Sequence, residues 1–274
     1  MKYSIVNISC GLGNQFFQYA FGYAQHRRNN SKLVLYKYED QPSHRPYQIG
    51  NYAIEYSGLI SYDSMSLKDR VILKVSKNIP DREFEYDKSI LKQKQMFAFY
   101  NGYWQNWRYF DEYYDSLIKL FTYNQMCSEQ CNRYIDMVIN SKNSLAVHIR
   151  RGDYATTNMC IGIEYYKQGL NQARNILRDF KLFVFSDDKK YIKENYSFLG
   201  EYVLIDGVSD VEEFEIMRTC EHHIIANSTF SWWSAYLGRK REGLVIAPVV
   251  YHWMRDFYLP KWICLNAKIE NKYE

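Results

Sequence analysis

From residue 144 onward, short apolar runs alternate with longer amphipathic ones, and this alternation limits the possible folds more than any other feature. "SLAVHIR" (144–150), "KLFVFS" (181–186), "EYVLI" (201–205), "HHIIAN" (222–227) and "GLVIAP" (243–248) read as strands. Between them "EYYKQGLNQARNIL", the segment after Asp187-Asp188, "DVEEFEIMRTC" and "FSWWSAYLG" read as helices. Strands separated by whole helices do not pair as hairpins. They form a parallel sheet covered on both faces.

The chain opens in the same way. Strand "YSIVNIS" (3–9) runs into the glycine loop "CGLGN" and then a helix with Phe16, Ala20, Tyr23, Ala24 and Arg27 on one stripe; strand "KLVLYKY" (32–38) follows. "MFAFYNGYWQ" (96–105) predicts a strand meeting an aromatic loop, and "NWRYFDEYYDSLIKLF" and "CNRYIDMVINS" predict helices. Residues 40–95 are polar and Tyr-rich, with no readable period. The expected fold is α/β, with two Rossmann-like domains facing a central cleft. The first would span 1–141 and the second 142–274, with the C-terminal end of the chain packing back on the first.

Composition removes several function classes. A net charge of +4 is too small for nucleic-acid binding, and the longest basic run, "GRKRE" (238–242), is short. Mild basicity still suits anionic substrates or peripheral contact with an anionic membrane face. The six cysteines are scattered without a CxxC pair, which reads as reduced thiols in a cytoplasmic protein. "MKYSIVNISCG" turns polar too early for a signal peptide, and no apolar run is long enough to span a membrane. The 27 Tyr and 6 Trp offer faces for sugars or bases, although a low-GC genome, which also raises Lys, Asn and Ile, explains the Tyr usage equally well.

In open parallel sheets, ligands bind outside the carboxyl ends of the strands. The loops to read are therefore 10–15, 150–154, 186–188 and 227–231. "VHIRRGDY" ends an apolar strand on two adjacent arginines. Such cations need anionic partners. Strand alternation puts His148 and Arg150 on one face and Val147, Ile149 and Arg151 on the other. One arginine would then meet a ligand while the other pairs with a carboxylate, with Asp153 a candidate; a simple strand-end salt bridge is the alternative.

"CGLGNQF" is a tight strand-to-helix turn in which Gly11 and Gly13 would permit positive φ and close approach of a ligand. It is neither a P-loop nor a complete dinucleotide fingerprint, since Phe16 stands where the third glycine belongs; Glu39 and Asp40 could act as the ribose carboxylate. "NSTFSWW" places Asn227, Ser228 and Thr229 before a helix, which allows either simple capping or a phosphate cradle; Trp232 and Trp233 read as core. "FVFSDD" ends on two carboxylates that either cap the next helix or meet a base or ribose. No Asp-x-Asp occurs, so no metal–diphosphate clamp is expected. His222 and His223 read as structural.

Together "GLGNQFFQYAFGYA", "NGYWQ", "HIRRGDY", "FSDD" and "NSTFSWWSAYLG" closely resemble, in this order, the bacterial α-1,2-fucosyltransferases of glycosyltransferase family 11. The likeness runs over most of the chain. It departs from the family at Cys10, where the family usually has a glycine.

The resemblance implies a GT-B fold and inverting, metal-independent transfer of fucose from GDP-fucose to the 2-hydroxyl of a β-galactoside in a surface glycan precursor such as an O-antigen. No cofactor or metal is expected, and the partners are GDP-fucose and a galactose-terminated or lipid-linked glycan. Carried over by position, Arg150 would contact the donor β-phosphate. His148, Arg151, Asp153, Asp188, Asn227, Ser228, Thr229, Phe230 and Ser231 would help hold the donor. Gly11, Gly13, Asn14 and Gln15 would close over the diphosphate. Trp104 and Gln105 are acceptor candidates, with a core position for Trp104 equally open. Asp153, Glu39 and Asp40 are the candidates for general base. Two other readings compete: an NAD-dependent oxidoreductase using the GxG turn, and a non-catalytic nucleotide- or glycan-binding module. Neither accounts for the His-x-Arg element.

Overall fold

The structure, a computed structural model, describes residues 1–37, 45–82, 85–251 and 254–270. The chain forms two compact units, Met1–Gln125 and Met126–Glu274.

The first unit runs β1 (Lys2–Ile8), α1 (Leu12–Asn29), β2 (Ser31–Lys37), β3 (Gly58–Ser61), α2 (Leu67–Val75), β4 (Lys77–Pro80), β5 (Phe97–Asn101) and α3 (Tyr114–Leu120). Its sheet has the order β3-β2-β1-β5-β4, with every pairing parallel. Helix α1 is buried around most of its circumference from Leu12 to Gln25, as befits a helix apolar on nearly every side. On another face Ile5, Val34, Tyr36 and Ile60 form a cluster covered by Ile72 and Leu73 of α2. The unreadable 40–95 region thus supplies two four-residue strands and α2, which opens on a Ser66–Asp69 capping box. The helix expected over 106–121 is confined to α3. Asn106 caps a preceding 3₁₀ turn, and Tyr109 and Phe110 are buried there instead of on a helical stripe.

The second unit runs α4 (Glu129–Ile139), β6 (Ser144–Ile149), α5 (Gly152–Thr157), α6 (Ile163–Leu177), β7 (Lys181–Ser186), α7 (Lys189–Asn195), β8 (Val203–Leu204), α8 (Asp210–Thr219), β9 (His222–Ile224), α9 (Thr229–Tyr236), β10 (Val245–Val249), α10 (Met254–Phe257) and β11 (Ile263–Asn266). The sheet order is β11-β10-β9-β6-β7-β8, again all parallel. One face buries Leu145, Val147 and Ile149 against Tyr165, Tyr166 and Leu170 of α6 and Ile192 of α7. The other buries Ala146 and Phe183 against Cys131 and Val138 of α4 and Ile216 and Met217 of α8.

Two boundaries differ from expectation. The units divide at 125/126 rather than 141/142, because α4 belongs to the second sheet: its apolar stripe is buried there, and Glu212 of α8 accepts the Ser128 N–H at 2.6 Å. The last part of the chain, expected to pack on the first unit, pairs within the second among the described residues. β11 extends that sheet as its edge strand, and Ile269 bridges to Ile161. Among the described residues no helix is long and apolar enough to cross a membrane.

Glu212 also closes the capping box of α8 with Ser209, so one carboxylate starts α8 and ties down the start of α4. Hydrogen bonds to a charged group are each worth about 1.5–3 kcal/mol. Glu212→Ala should therefore lower the unfolding free energy by at least ~2 kcal/mol in urea denaturation. An unchanged midpoint would show that this carboxylate does not couple the two helices.

Candidate active site

Parallel pairing in the order β9-β6-β7 puts three strand-end loops side by side, with the Arg150 turn in the middle. The chain crosses from one side of β6 to the other between β8 and β9, so the gap between β6 and β9 is the topological switch point of this sheet. β6 is buried along its whole length.

The alternation inferred from the sequence holds at the strand end, where the two arginines make separate sets of contacts. The Arg150 guanidinium lies 2.6 Å from Asp153 through Nη2 and 2.6 Å from Asp187 through Nη1, with its centre 5.5 Å from the Tyr154 ring. Arg151 turns toward α7 and the C-terminal segment. Its Nη1 is 2.7 Å from Glu270, its Nε is 3.7 Å from Asp188, and it stacks at 3.3 Å over Tyr191. Burial opposes the Arg151 charge, but the hydrogen bond and charge of Glu270 outweigh it and hold the group above its ordinary pKa. Arg151, assigned to donor binding by the resemblance, is thus placed as a tie to the C-terminal segment.

Asp187 is the residue that sequence reasoning missed. Its Oδ1 accepts the backbone N–H groups of Arg151 (2.8 Å) and Gly152 (3.0 Å), while Oδ2 meets Arg150. A Cβ on Gly152 would stand 2.5 Å from that Oδ2, so only glycine lets the turn come this close. Asp188, the neighbour singled out instead, caps α7 by accepting the Tyr191 N–H at 3.1 Å. The signal lies in the sheet register and not in the local sequence. Ile149 pairs with Ser186, so the next residue of each strand, Arg150 and Asp187, leaves the sheet alongside the other.

His148 is 5% exposed, with its ring 5.8 Å from that of Phe230. Burial first, then the Arg150 charge, push its pKa down to about 4 against the pull of Asp187, so the imidazole is neutral near pH 7. Its Nδ1 is buried without a hydrogen-bond partner, as is Oδ1 of Asn227. Ser228 caps α9 by accepting the Phe230 N–H at 3.3 Å, and Thr229 opens the helix.

Two side chains of that loop are occupied elsewhere. Ser231 is fully buried and donates to the Ser228 carbonyl at 3.3 Å, and the Phe230 ring packs on Phe214 at 5.3 Å. Trp232 and Trp233 are core, as expected. His222 and His223 are structural: His222 Nδ1 accepts the Leu244 N–H, and His223 Nε2 meets the Met217 carbonyl at 3.0 Å.

In the first unit, the loops after β1 and β5 lie on adjacent strands and meet where Gln105 Nε2 donates to Asn14 Oδ1 at 2.9 Å. The left-handed conformation expected of the glycines falls on Cys10, at φ 64°; Gly11 has φ −69° and Gly13 lies within α1. Gln15 leaves the candidate site. It is buried, its amide donates to the carbonyls of Cys10 and Pro46, and its oxygen accepts from Gln48 and Ile49. Trp104 is also core, fully buried and stacked 4.0 Å from Phe21, so it offers no face to an acceptor. Glu39 and Asp40 lie outside the described residues.

Residues 82–266 match the family described as Glycosyl transferase family 11. The chain belongs to that family. Over 90% of its length it is 32% identical to an alpha-1,2-colitosyltransferase of Escherichia coli, covering 92% of that protein. It is 26% identical to the Escherichia coli O-antigen biosynthesis glycosyltransferase WbnK, over 88% of this chain and 92% of the other. It is 27% identical to galactoside alpha-(1,2)-fucosyltransferase 2 of Sus scrofa, over 61% of this chain and 56% of the other. Among solved structures, the alpha-1,6-fucosyltransferase NodZ soaked with GDP-fucose matches with a TM-score of 0.56 at 12% identity, over 86% of this chain and 92% of the other. That likeness supports the GT-B-type α/β fold. The chain is therefore a glycosyltransferase, and the oxidoreductase and non-catalytic readings fall away.

The contacts of Arg151 define its role through stability. Lysine keeps the charge but loses the planar fork and the ring stacking. Arg151→Lys should lower unfolding free energy by about 1–2 kcal/mol while the folded variant keeps its transferase activity. A fully stable but inactive Arg151→Lys protein would reverse the assignment of the two faces.

Proposed function

We propose that this glycosyltransferase moves L-fucose from GDP-fucose to the 2-hydroxyl of a terminal β-galactoside in a surface-glycan precursor, with inversion and without a metal. The observation that carries this reading is the Arg150 guanidinium, 22% exposed at the switch point of the second sheet and next in sheet order to the loop that opens α9. A guanidinium carries five N–H donors, and the two carboxylates of this structure engage Nη1 and Nη2 alone. The fork retains donors for a phosphate.

Breaking the bond between fucose C1 and the β-phosphate oxygen leaves oxocarbenium character on the sugar and negative charge on the departing diphosphate. A fixed guanidinium and the first-turn N–H groups of α9 stabilise that charge as it forms. The acceptor hydroxyl oxygen attacks C1 from the opposite side, which inverts the anomeric centre, and gives up its proton to a carboxylate base or to water. Among the described residues no group of three or more His, Cys, Asp or Glu is arranged to hold a metal ion. The positive charge for the leaving group is assigned to Arg150 instead. Of the three candidate bases, Asp153 lies within the described residues and is 57% exposed. The relatives named for α-1,2 transfer support the linkage, the porcine enzyme supports the galactoside, and WbnK supports a glycan of the O-antigen type. Six free cysteines accord with a cytoplasmic site of action, with any membrane contact peripheral.

One observation favours a second donor sugar. The E. coli relative at 32% identity is named for colitose, which is fucose without its 3-hydroxyl. A site built to hydrogen-bond that hydroxyl would strongly reject the deoxy sugar, whereas a site lacking such a contact would accept both.

The deciding assay offers GDP-fucose and GDP-colitose in parallel to a galactose-terminated oligosaccharide, with and without EDTA. Fucosyl transfer that survives EDTA is expected. Preference for GDP-colitose would replace the donor, and activity abolished by EDTA and restored by magnesium or manganese would sink the leaving-group mechanism.

Arg150→Lys should lower kcat about 100-fold or more while GDP affinity weakens less and the melting curve is kept. A near-normal kcat would reduce Arg150 to a strand-end ion pair.

A further inference from the structure

We infer that Asp187 is the positioning residue of this site, holding the Arg150 guanidinium at the strand-end turn so that its free donors face the donor's phosphate. The inference rests on the proposed nucleotide-sugar reading and goes beyond it by assigning the first carboxylate of "FSDD" a task.

Three donors from three consecutive residues converge on this one carboxylate. Oδ1 accepts from the backbone of Arg151 at 2.8 Å and of Gly152 at 3.0 Å, and Oδ2 lies 2.6 Å from Nη1 of Arg150. The backbone bonds fix where the carboxylate sits, so the carboxylate in turn fixes the guanidinium. Gly152 is shaped to it, because an added Cβ would stand 2.5 Å from Oδ2.

The other partner of Arg150 is differently placed. Asp153 is 57% exposed against 26% for Asp187, and it sits on α5, a helix of six residues. An exposed pair of that kind contributes little and exchanges readily. Asp187 is therefore the permanent anchor, and Asp153 holds the prong that a phosphate can take over. Sheet register supports the same division. Ile149 pairs with Ser186, so Arg150 and Asp187 leave neighbouring strands together, whereas Asp153 is reached only through the turn.

Asp187→Asn separates anchoring from folding. Its side-chain carbonyl can still accept the two backbone N–H groups, while its NH₂ now faces a guanidinium donor and cannot hold it. The experiment is a double-mutant cycle of Asp187→Asn with Arg150→Ala, read in kcat, KM for the donor, GDP affinity and melting temperature. Asp187→Asn should reduce kcat roughly 10- to 100-fold, the scale of a misplaced reacting group, with little change in melting temperature. In the Arg150→Ala background the same change should cost less than about twofold, because the residue it acts through is gone.

Equal losses in both backgrounds, or a normal kcat, would overturn the inference. If Asp187→Asn fails to fold, Gly152→Ala displaces the carboxylate from the other side and should give the same dependence on Arg150; independence would again refute it. Should the wild type bind GDP yet transfer neither sugar, the proposed reaction falls, while the cycle read on GDP affinity still decides the role of Asp187.

Discussion

Two guanidinium groups leave the end of a fully buried strand on opposite sides, and each meets an anion brought from elsewhere in the chain. Asp187 comes from the end of the neighbouring strand and Glu270 from the far C-terminal segment. Partly buried ion pairs of this kind contribute little net stability, because desolvation offsets much of the attraction. Their effect is geometric. Each carboxylate is also held by its surroundings: Asp187 accepts two backbone N–H groups, and the Glu270 N–H itself donates to the Cys160 carbonyl at 2.9 Å. The strand end is thereby clamped from two sides, and the arginine that remains partly exposed is held in one orientation.

The parallel sheet explains why this clamp lies on the edge where ligands of open parallel sheets bind. All strands of the second unit point the same way, so their terminal loops gather on one edge. The chain order then places the 150–152, 187–188 and 227–229 loops on β6 and its two neighbours. This much was legible from residue patterns alone, since strand alternation separated Arg150 from Arg151 and the capping residues marked α9. Asp187 was not, because a carboxylate pair before a helix reads first as a cap, and Asp188 does cap. Telling the two apart needs the register between β6 and β7, which no local pattern encodes. Residues 40–95 were opaque for a related reason. Strands of four residues at 58–61 and 77–80 are too short to show a period, and pairing with longer neighbours decides them.

The first unit shows how a loop shape is held at a residue whose side chain makes it costly. Cys10 occupies the left-handed region, which costs a side-chain-bearing residue about 1–2 kcal/mol. Two buried glutamines of α1 hold the backbone there. Gln15 donates to the Cys10 carbonyl at 2.7 Å, and Gln18 accepts the Ser9 N–H at 2.8 Å while donating to the Ser9 hydroxyl. In the sequence the Gln15 amide looked available to a ligand. Both amides are committed because a strained backbone beside them must be satisfied. The same logic removes Trp104, whose own positive φ of 57° turns its ring onto Phe21 in the core.

The electrostatics of the Arg150 turn follow from which groups stay neutral. His148 shares its face of the strand with Arg150. Burial is the larger reason that its pKa falls to about 4, but the guanidinium pushes in the same direction. A second positive charge is thus refused at this spot near pH 7, and the cation that persists is the arginine, which is always protonated. The neighbouring helix α9 adds the partial positive charge of its N-terminus without any titratable group. A positive field built from a guanidinium and peptide dipoles does not change with pH across the neutral range. A histidine cation in the same place would have tied that field to pH. The buried, neutral imidazole instead leaves its Nδ1 without a hydrogen-bond partner on the face of the strand it shares with the guanidinium.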